Sequence, residues 1–511
     1  MREEDQLQQP LTPEELMQEL RFKATELLLR EEWQESVQVY TQFINLCRDQ
    51  ISDKSHQNHP DPDLLAKLKK SLCLALSNRA EALSRLRDLT EALKDCDQAL
   101  KIESTHFKSL VCKGKILLSL NRYSMALDCF KTAILDPQAS GNLETLNGYV
   151  QKCKKLEFQS RTGAFDLSDW ILSRFRGKSP ELAEYTGPVQ IKRSELSGRG
   201  LFATKNIDAG TLLLVTKAIA TERGILSSED SGENAQLVMW KNFAPEMSLF
   251  RPEAEGIGGL NEKLDKVRIL SVLDVNSLVE DSVSAKVFGR NSDYYGVGLW
   301  ILASFINHSC NPNARRLHVG DHMLVHASRD VKAGEEITFA YFDVLSPLSK
   351  RKEMSETWGF HCSCRRCKFE EEMCSKQEVK ELEIGLERGI DVGSAIFRLE
   401  EGMRRWMVRG KGKGYMRASF WAAYSEAYGS EKSMRRWGRR IPAVDIVVDS
   451  VAEAVGCDER VLKVFMQTFK GNGLSVMDME KSLKLGRGVH GKVVKKQQAL
   501  RSLLDLGTHD A

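Results

Sequence analysis

Cys362, Cys364 and Cys367 fall within six residues, and no other stretch constrains the folding of this 511-residue chain so tightly. Closely spaced thiolates are ligands for a soft or borderline ion, and structural zinc takes four such donors in a tetrahedron. Three donors are local, so a fourth must be brought in. His361 and Cys374 are the nearby candidates. Wherever it lies, the ion would tie Trp358-Gly359-Phe360 to the centre of the fold, and metal binding would carry part of the folding energy. The chain has 12 cysteines, and Cys73, Cys96, Cys112 and Cys129 are scattered through amphipathic helical sequence. That distribution fits buried thiols in a reducing compartment better than a disulfide framework.

Two further segments precede the cysteines. Asn307-His308-Ser309-Cys310-Asn311-Pro312-Asn313 comes first, and Gly334-Glu335-Glu336-Ile337-Thr338-Phe339-Ala340-Tyr341 reads as a strand ending in tyrosine. Together with the cysteine cluster they resemble the signature segments of SET-domain methyltransferases, including the post-SET zinc motif. The resemblance implies a protein-lysine N-methyltransferase that uses S-adenosyl-L-methionine. By it, Cys310 completes the zinc set with Cys362, Cys364 and Cys367. Asn307 holds the methionine part of the cofactor, backbone groups of His308 hold the adenine, and Phe360 stacks on that ring. Tyr341 supplies the hydroxyl that orients the acceptor amine, and itself borders the cofactor. Gly198-Arg199-Gly200 matches the turn that lets the backbone approach the cofactor, since a side chain would collide there. Asn291, ahead of Gly296-Val297-Gly298, is a further candidate for the same ligand. Strand alternation sets Phe339 on the face of Tyr341 and Phe342 on the other.

The first 155 residues carry an internal repeat. Aligning Asn78–Leu100 with Cys112–Ile134 superposes Ala92 on Ala126 and Ala99 on Ala133, each 34 residues apart. This is the period of tetratricopeptide (TPR) repeats. A degenerate first repeat runs from Lys23 to Ile44, and the polar stretch Ser52 to Pro62 reads as a loop. Stacked repeats leave a concave face for a peptide or protein partner, although the same stacking could simply brace the catalytic part. Asn78 and Lys108 occupy points used elsewhere to clamp a chaperone carboxylate, but Leu27 stands where the first-repeat asparagine would be.

The expected fold class is α+β. Residues 16–155 form the TPR domain and 156–188 a linker. Residues 189–345 form a β-rich SET domain with a helical insertion at 221–290, followed by the post-SET zinc segment, 346–374, and a C-terminal helical domain, 375–511. The resemblance is closest to the SET and MYND type, but no cysteine occurs between Cys153 and Cys310, so the MYND finger is lacking. His318, His322 and His326 alternate around a turn at Gly320-Asp321 and read as packed or solvent-facing residues. Between Glu401 and Arg440 stand 11 Lys or Arg and 3 Asp or Glu. The interleaved Trp406, Tyr415, Phe420, Trp421 and Tyr424 are expected to pack, so direct nucleic-acid binding is not expected. No apolar run approaches the roughly 18 residues of a membrane span, and a cytoplasmic or nuclear setting is expected. The net charge of +3 names no partner. A competing reading keeps the repeats as an adaptor and the SET domain catalytically silent.

Overall fold

The computed structural model describes residues 12–55, 61–173, 180–225, 272–273, 276–280, 294–374, 376–467, 476–496 and 498–499. It divides into two units, 1–158 and 159–511.

In the first unit, consecutive helices pair: α1 (Pro13–Leu29) with α2 (Trp33–Ser55), α3 (Pro62–Arg85) with α4 (Leu89–Ile102), and α5 (Phe107–Ser119) with α6 (Tyr123–Ile134). Small residues stand where the helices approach, with Ala24, Ala80, Ala92, Ala99, Ala126 and Ala133 fully buried. The turn inside each pair carries one left-handed residue, Glu31, Arg87 and Asn121 at φ 61°, 68° and 59°. Arg87 and Asn121 stand one repeat period apart, so the backbone repeats as the sequence does. α2 extends to Ser55, so the expected loop begins later than Ser52, and residues 56–60 lie outside the described residues. α7 (Leu143–Thr162) follows, with Tyr149 stacked on Phe130 at 4.8 Å.

The second unit holds three small sheets. One runs β1 (Tyr185–Thr186), β4 (Leu212–Lys217), β10 (His322–Ala327), β9 (Ala314–Val319), and a second runs β2 (Val189–Arg193), β3 (Arg199–Ala203), β11 (Glu336–Phe339), β8 (Asn307–His308). The third is β5 (Ala220–Ile225), β7 (Tyr294–Leu299), β6 (Leu278–Val279). Of the helical insertion expected at 221–290, residues 221–225 and 278–279 are strand and residues 272, 273 and 276 helical, and most of the span lies outside the described residues. The glycine-rich run Gly296-Val297-Gly298 sits in β7, where the Cβ of either glycine would strike Glu280 or Trp300.

The stretch expected to be a linker is part of the second unit's core. Phe165, Leu167 and Ile171, the last on α8 (Ser168–Leu172), pack with Leu182 against Leu212, Val215, Leu317 and Leu324. The Leu167 amide donates to the Val493 carbonyl, and Ser168 Oγ accepts from the Lys495 and Lys496 amides. Connectors show apolar residues only sparsely, and here Phe165, Leu167, Ile171 and Leu182 are buried.

From α9 (Leu348–Thr357) and α10 (Arg365–Cys374) onward the chain is helical: α11 (Gln377–Glu387), α12 (Val392–Arg405), α13 (Lys411–Ser419), α14 (Trp421–Gly429), α15 (Glu431–Trp437), α16 (Val444–Val455), α17 (Glu459–Gln467) and α18 (Val476–His490). Tyr415, Phe420, Trp421 and Tyr424 are buried in this core, and Arg417 is buried against Glu400. The basic segment thus spends its aromatics and one of its arginines on packing. No described helix is long and apolar enough to cross a membrane.

Candidate active site and cysteine cluster

The site is organised by β11, whose two halves have different partners. Glu336 and Ile337 pair antiparallel with Phe202 and Leu201 of β3, whereas Thr338 and Phe339 pair parallel with Asn307 and His308 of β8. Asn313 holds this junction from behind: its Oδ1 accepts from the Thr338 amide at 2.8 Å, and its Nδ2 donates to the Glu336 carbonyl at 2.8 Å.

In front of it, Glu336 draws the glycine turn inward. Its carboxylate accepts from Ser194 Oγ at 2.8 and 2.9 Å and from Asn307 Nδ2 at 2.7 Å. Ser194 Oγ in turn accepts from the Leu196 amide, and Asn307 Nδ2 also reaches the Ser197 and Arg199 carbonyls, each at 3.2 Å. Gly200 is needed because a Cβ there would collide with the Glu336 carboxylate. Gly198 has φ +49° and nothing within 4 Å of its would-be Cβ, so the outer side of the turn is open. The Arg199 side chain is exposed there.

Next to Asn307, the buried His308 accepts from the Tyr341 amide through Nδ1 at 3.0 Å. Its ring lies 4.2 Å from Phe342 in a stack and 5.3 Å from both Tyr341 and Phe360. Tyr341 stands just past the strand, with its ring 5.8 Å from Phe339, 5.0 Å from Trp358 and 6.1 Å from Phe360. Phe339 thus packs beside Tyr341, while Phe342 stacks on His308; both Tyr341 and Phe342 lie beyond the end of β11. The Tyr341 hydroxyl donates to the Ile306 carbonyl at 3.0 Å, and burial pushes its pKa up to about 12. The phenol therefore stays protonated throughout the neutral range. The Arg316 guanidinium sits 5.0 Å over the Phe339 ring.

On the far side of His308, the sulfurs of Cys310, Cys362, Cys364 and Cys367 all lie within 4.8 Å of one another. Such a set is what tetrahedral zinc requires. The sulfurs bear on one another: hydrogen bonds from Cys310, then Cys364 and Cys367, pull the Cys362 thiol far below its ordinary range, while Cys310 and Cys367 are pushed up. His361 and Cys374, the local alternatives, are not among the converging donors.

Asn307, His308, Tyr341, Phe360, Gly198, Arg199 and Gly200 form one continuous neighbourhood, and Asn291 lies outside the described residues. An amide, a glycine turn with an open side and a half-buried aromatic ring suit the amino-acid and purine parts of the expected cofactor. Sequence reasoning gave no role to Glu336, Asn313 or Trp358. For the first two, the signal was a carboxylate and an amide within the quoted motifs, whose partners are distant in sequence. His318 and His326 are buried in β9 and β10, the former 5.0 Å from Trp300 and the latter bonded to the Gly488 and Val489 carbonyls.

A protein-family model described as SET domain matches residues 198–342. A methyltransferase from Gibberella zeae is 27% identical over 348 residues, covering 58% of this chain and 46% of that relative. The histone-lysine N-methyltransferase SMYD3 of Homo sapiens is 40% identical over 77 residues, 15% of this chain and 18% of the relative. The chain thus spans less than half the length of these curated relatives. Among solved structures, the TPR2B-domain:pHsp70-complex of yeast Sti1 matches at 19% identity and a TM-score of 0.22, over 27% of this chain and 97% of that one. The repeat reading rests on the helix pairing and the 34-residue period rather than on that likeness. Residues 198–342 therefore carry a SET domain, preceded in the chain by helix pairs that repeat with the TPR period.

Proposed function

We propose that the chain is an S-adenosyl-L-methionine-dependent protein-lysine N-methyltransferase, with residues 16–155 as its recognition module, 189–345 as the SET domain and 346–374 as the post-SET zinc segment. The observation that carries this reading is the Tyr341 hydroxyl, protonated and fixed by Ile306 among Phe339, Trp358 and Phe360, beside Asn307 and the glycine turn. The cofactor supplies an electrophilic methyl group on a sulfonium centre. No covalent enzyme intermediate is needed, so the protein contributes position and electrostatics.

Tyr341 has its proton committed to Ile306, which leaves its oxygen lone pairs to accept from the acceptor amine. The aromatic wall excludes water, and Arg316 adds a nearby positive charge. Both disfavour an ammonium ion and keep the lysine amine neutral and nucleophilic. Asn307, the Gly198-Arg199-Gly200 turn, the His308 backbone and Phe360 would hold the cofactor. Cys310, Cys362, Cys364 and Cys367 would hold zinc and with it the segment that carries Trp358 and Phe360.

The first unit contains a cavity of about 560 Å3 whose lining includes Arg85, Arg87, Lys108 and Lys115 against the single acid Glu81. Its charge favours an acidic peptide, so the repeats would bring in a substrate or partner protein of the cytoplasm or nucleus. Incubation with isotopically labelled cofactor and a protein extract should label acceptors on lysine, and Tyr341→Phe should abolish most of the label. Cofactor binding without transfer to any acceptor would favour a silent adaptor instead.

A further inference from the structure

Behind the four sulfurs stand three charged side chains that do not reach solvent: Arg351, Arg366 and Glu370, exposed by 1%, 0% and 1%. Arg351 donates through Nη1 to Cys367 Sγ at 3.3 Å, through Nε to the Ser346 carbonyl at 3.0 Å, and through Nη2 to Glu370. The other oxygen of Glu370 accepts from Arg366 Nε at 2.7 Å and from Ser419 Oγ at 2.9 Å. Arg366 then reaches the Cys310 carbonyl at 3.1 Å, the Val344 carbonyl at 2.6 Å and Ser419 Oγ at 2.8 Å. A chain of hydrogen bonds therefore runs from a cysteine sulfur to the end of α13.

The charges in that chain do not balance. Both guanidinium groups form their ion pairs with the same carboxylate, so one positive charge is left over. Unbalanced buried charge is costly, and natural interiors match it with a partner. A zinc ion held by these four thiolates would give the centre a formal charge of about −2, and one of its sulfurs, Cys367 Sγ, already accepts from Arg351. Arginine keeps its charge through any change of surroundings, which suits it to a permanent role of this kind.

We infer that Arg351 is the built-in counter-charge of the metal–thiolate centre, and that Arg351, Glu370, Arg366 and Ser419 make the packing of α13 depend on the bound metal. Metal occupancy then reaches beyond the segment carrying Trp358 and Phe360 into the C-terminal helical core. Loss of the ion leaves two guanidinium charges sharing one carboxylate, and α13 loosens with it. This rests on the zinc reading above.

The test uses the full chain and reads metal rather than methyl transfer. Arg351→Met keeps length and removes charge, and should speed zinc release to a chromophoric chelator by about tenfold, an outer-contact effect of the usual size. In the cobalt-substituted protein it should also move the sulfur-to-cobalt absorption band. Arg351→Lys, which keeps the charge and loses the fork, guards against a methionine variant that does not fold and should give an intermediate release rate. In the wild type, chelation should raise hydrogen exchange in 411–419 while 212–217 stays protected. Release rates and cobalt bands unchanged in both variants would overturn the counter-charge, and unchanged exchange in 411–419 would overturn the coupling. A chain that takes up neither zinc nor cobalt would overturn the metal reading and this inference together.

Discussion

The helix pairs of the first unit and the SET sheet of the second are held by contacts of very different reach. In the first, Arg79 meets Asp95 and Lys113 meets Asp97 sixteen residues apart, between neighbouring helices. In the second, Ser194 meets Glu336 across 142 residues and Asn307 meets the Arg199 carbonyl across 108. Local contacts form with a small loss of chain entropy and can be swapped one at a time. Long-range ones close large loops and hold one another in place. The repeat unit should therefore respond to damage gradually, and the SET region abruptly.

The sharpest way to break that contrast is Cys364→Ser. It should remove zinc and lower the unfolding transition of the second unit by about 10 °C or more, with the repeat transition unmoved. Calorimetry with elemental analysis checks both, and two transitions falling together would show that the units are not distinct. Next comes Tyr341→Phe, which should cut transfer by about 100-fold with little change in cofactor affinity, as for loss of one orienting hydroxyl. Because burial raises the phenol, its neutral form persists upward in pH. The wild-type rate should thus show no alkaline loss from this group near the ordinary phenol value of about 10.

A blow to the repeats tests the other side. A Cβ on Gly114 would meet the Phe130 ring at 2.8 Å, so Gly114→Ala should cost about 1–3 kcal/mol in the repeat transition and leave zinc content unchanged. Glu336→Ala frees both Ser194 and Asn307 and should weaken cofactor binding about tenfold by titration calorimetry, with no loss of metal. The smallest effect is on product. Phe339→Tyr adds a hydroxyl beside Tyr341 and should shift products towards monomethyl-lysine, whereas Phe342→Tyr, on the His308 side, should leave the mass spectrum unchanged.

The same difference in reach explains what the sequence disclosed. The 34-residue period exposed the helix pairs because each repeat restates its own contacts. β11 was readable as a strand ending in tyrosine and the start of β3 from its glycine turn, and the four cysteines from ligand arithmetic together with family resemblance. Glu336 and Asn313 were in view, but their work depends on partners far away in the chain, such as Ser194. Phe165, Leu167 and Ile171 looked like a connector because a short apolar run shows no period long enough to reveal a core. Nothing in the sequence around Arg351 and Arg366 marks either as buried. Only the fold shows that both are buried on one carboxylate.

The antiparallel pairing of β3 with the near half of β11 carries a consequence for synthesis. A hairpin of β2 and β3 emerges first, and its outer edge is completed by a strand that begins at Glu336. At ribosomal speeds of about 5–20 residues per second, the interval between Ser194 and its partner is on the order of ten seconds. For that time a nascent ribbon with an unpaired edge is exposed, a state in which strand edges invite mispairing. The exposed charges of Lys192, Arg193 and Glu195, at the end of β2 and in the turn of the ribbon, are the kind that keep such a ribbon from joining a neighbour.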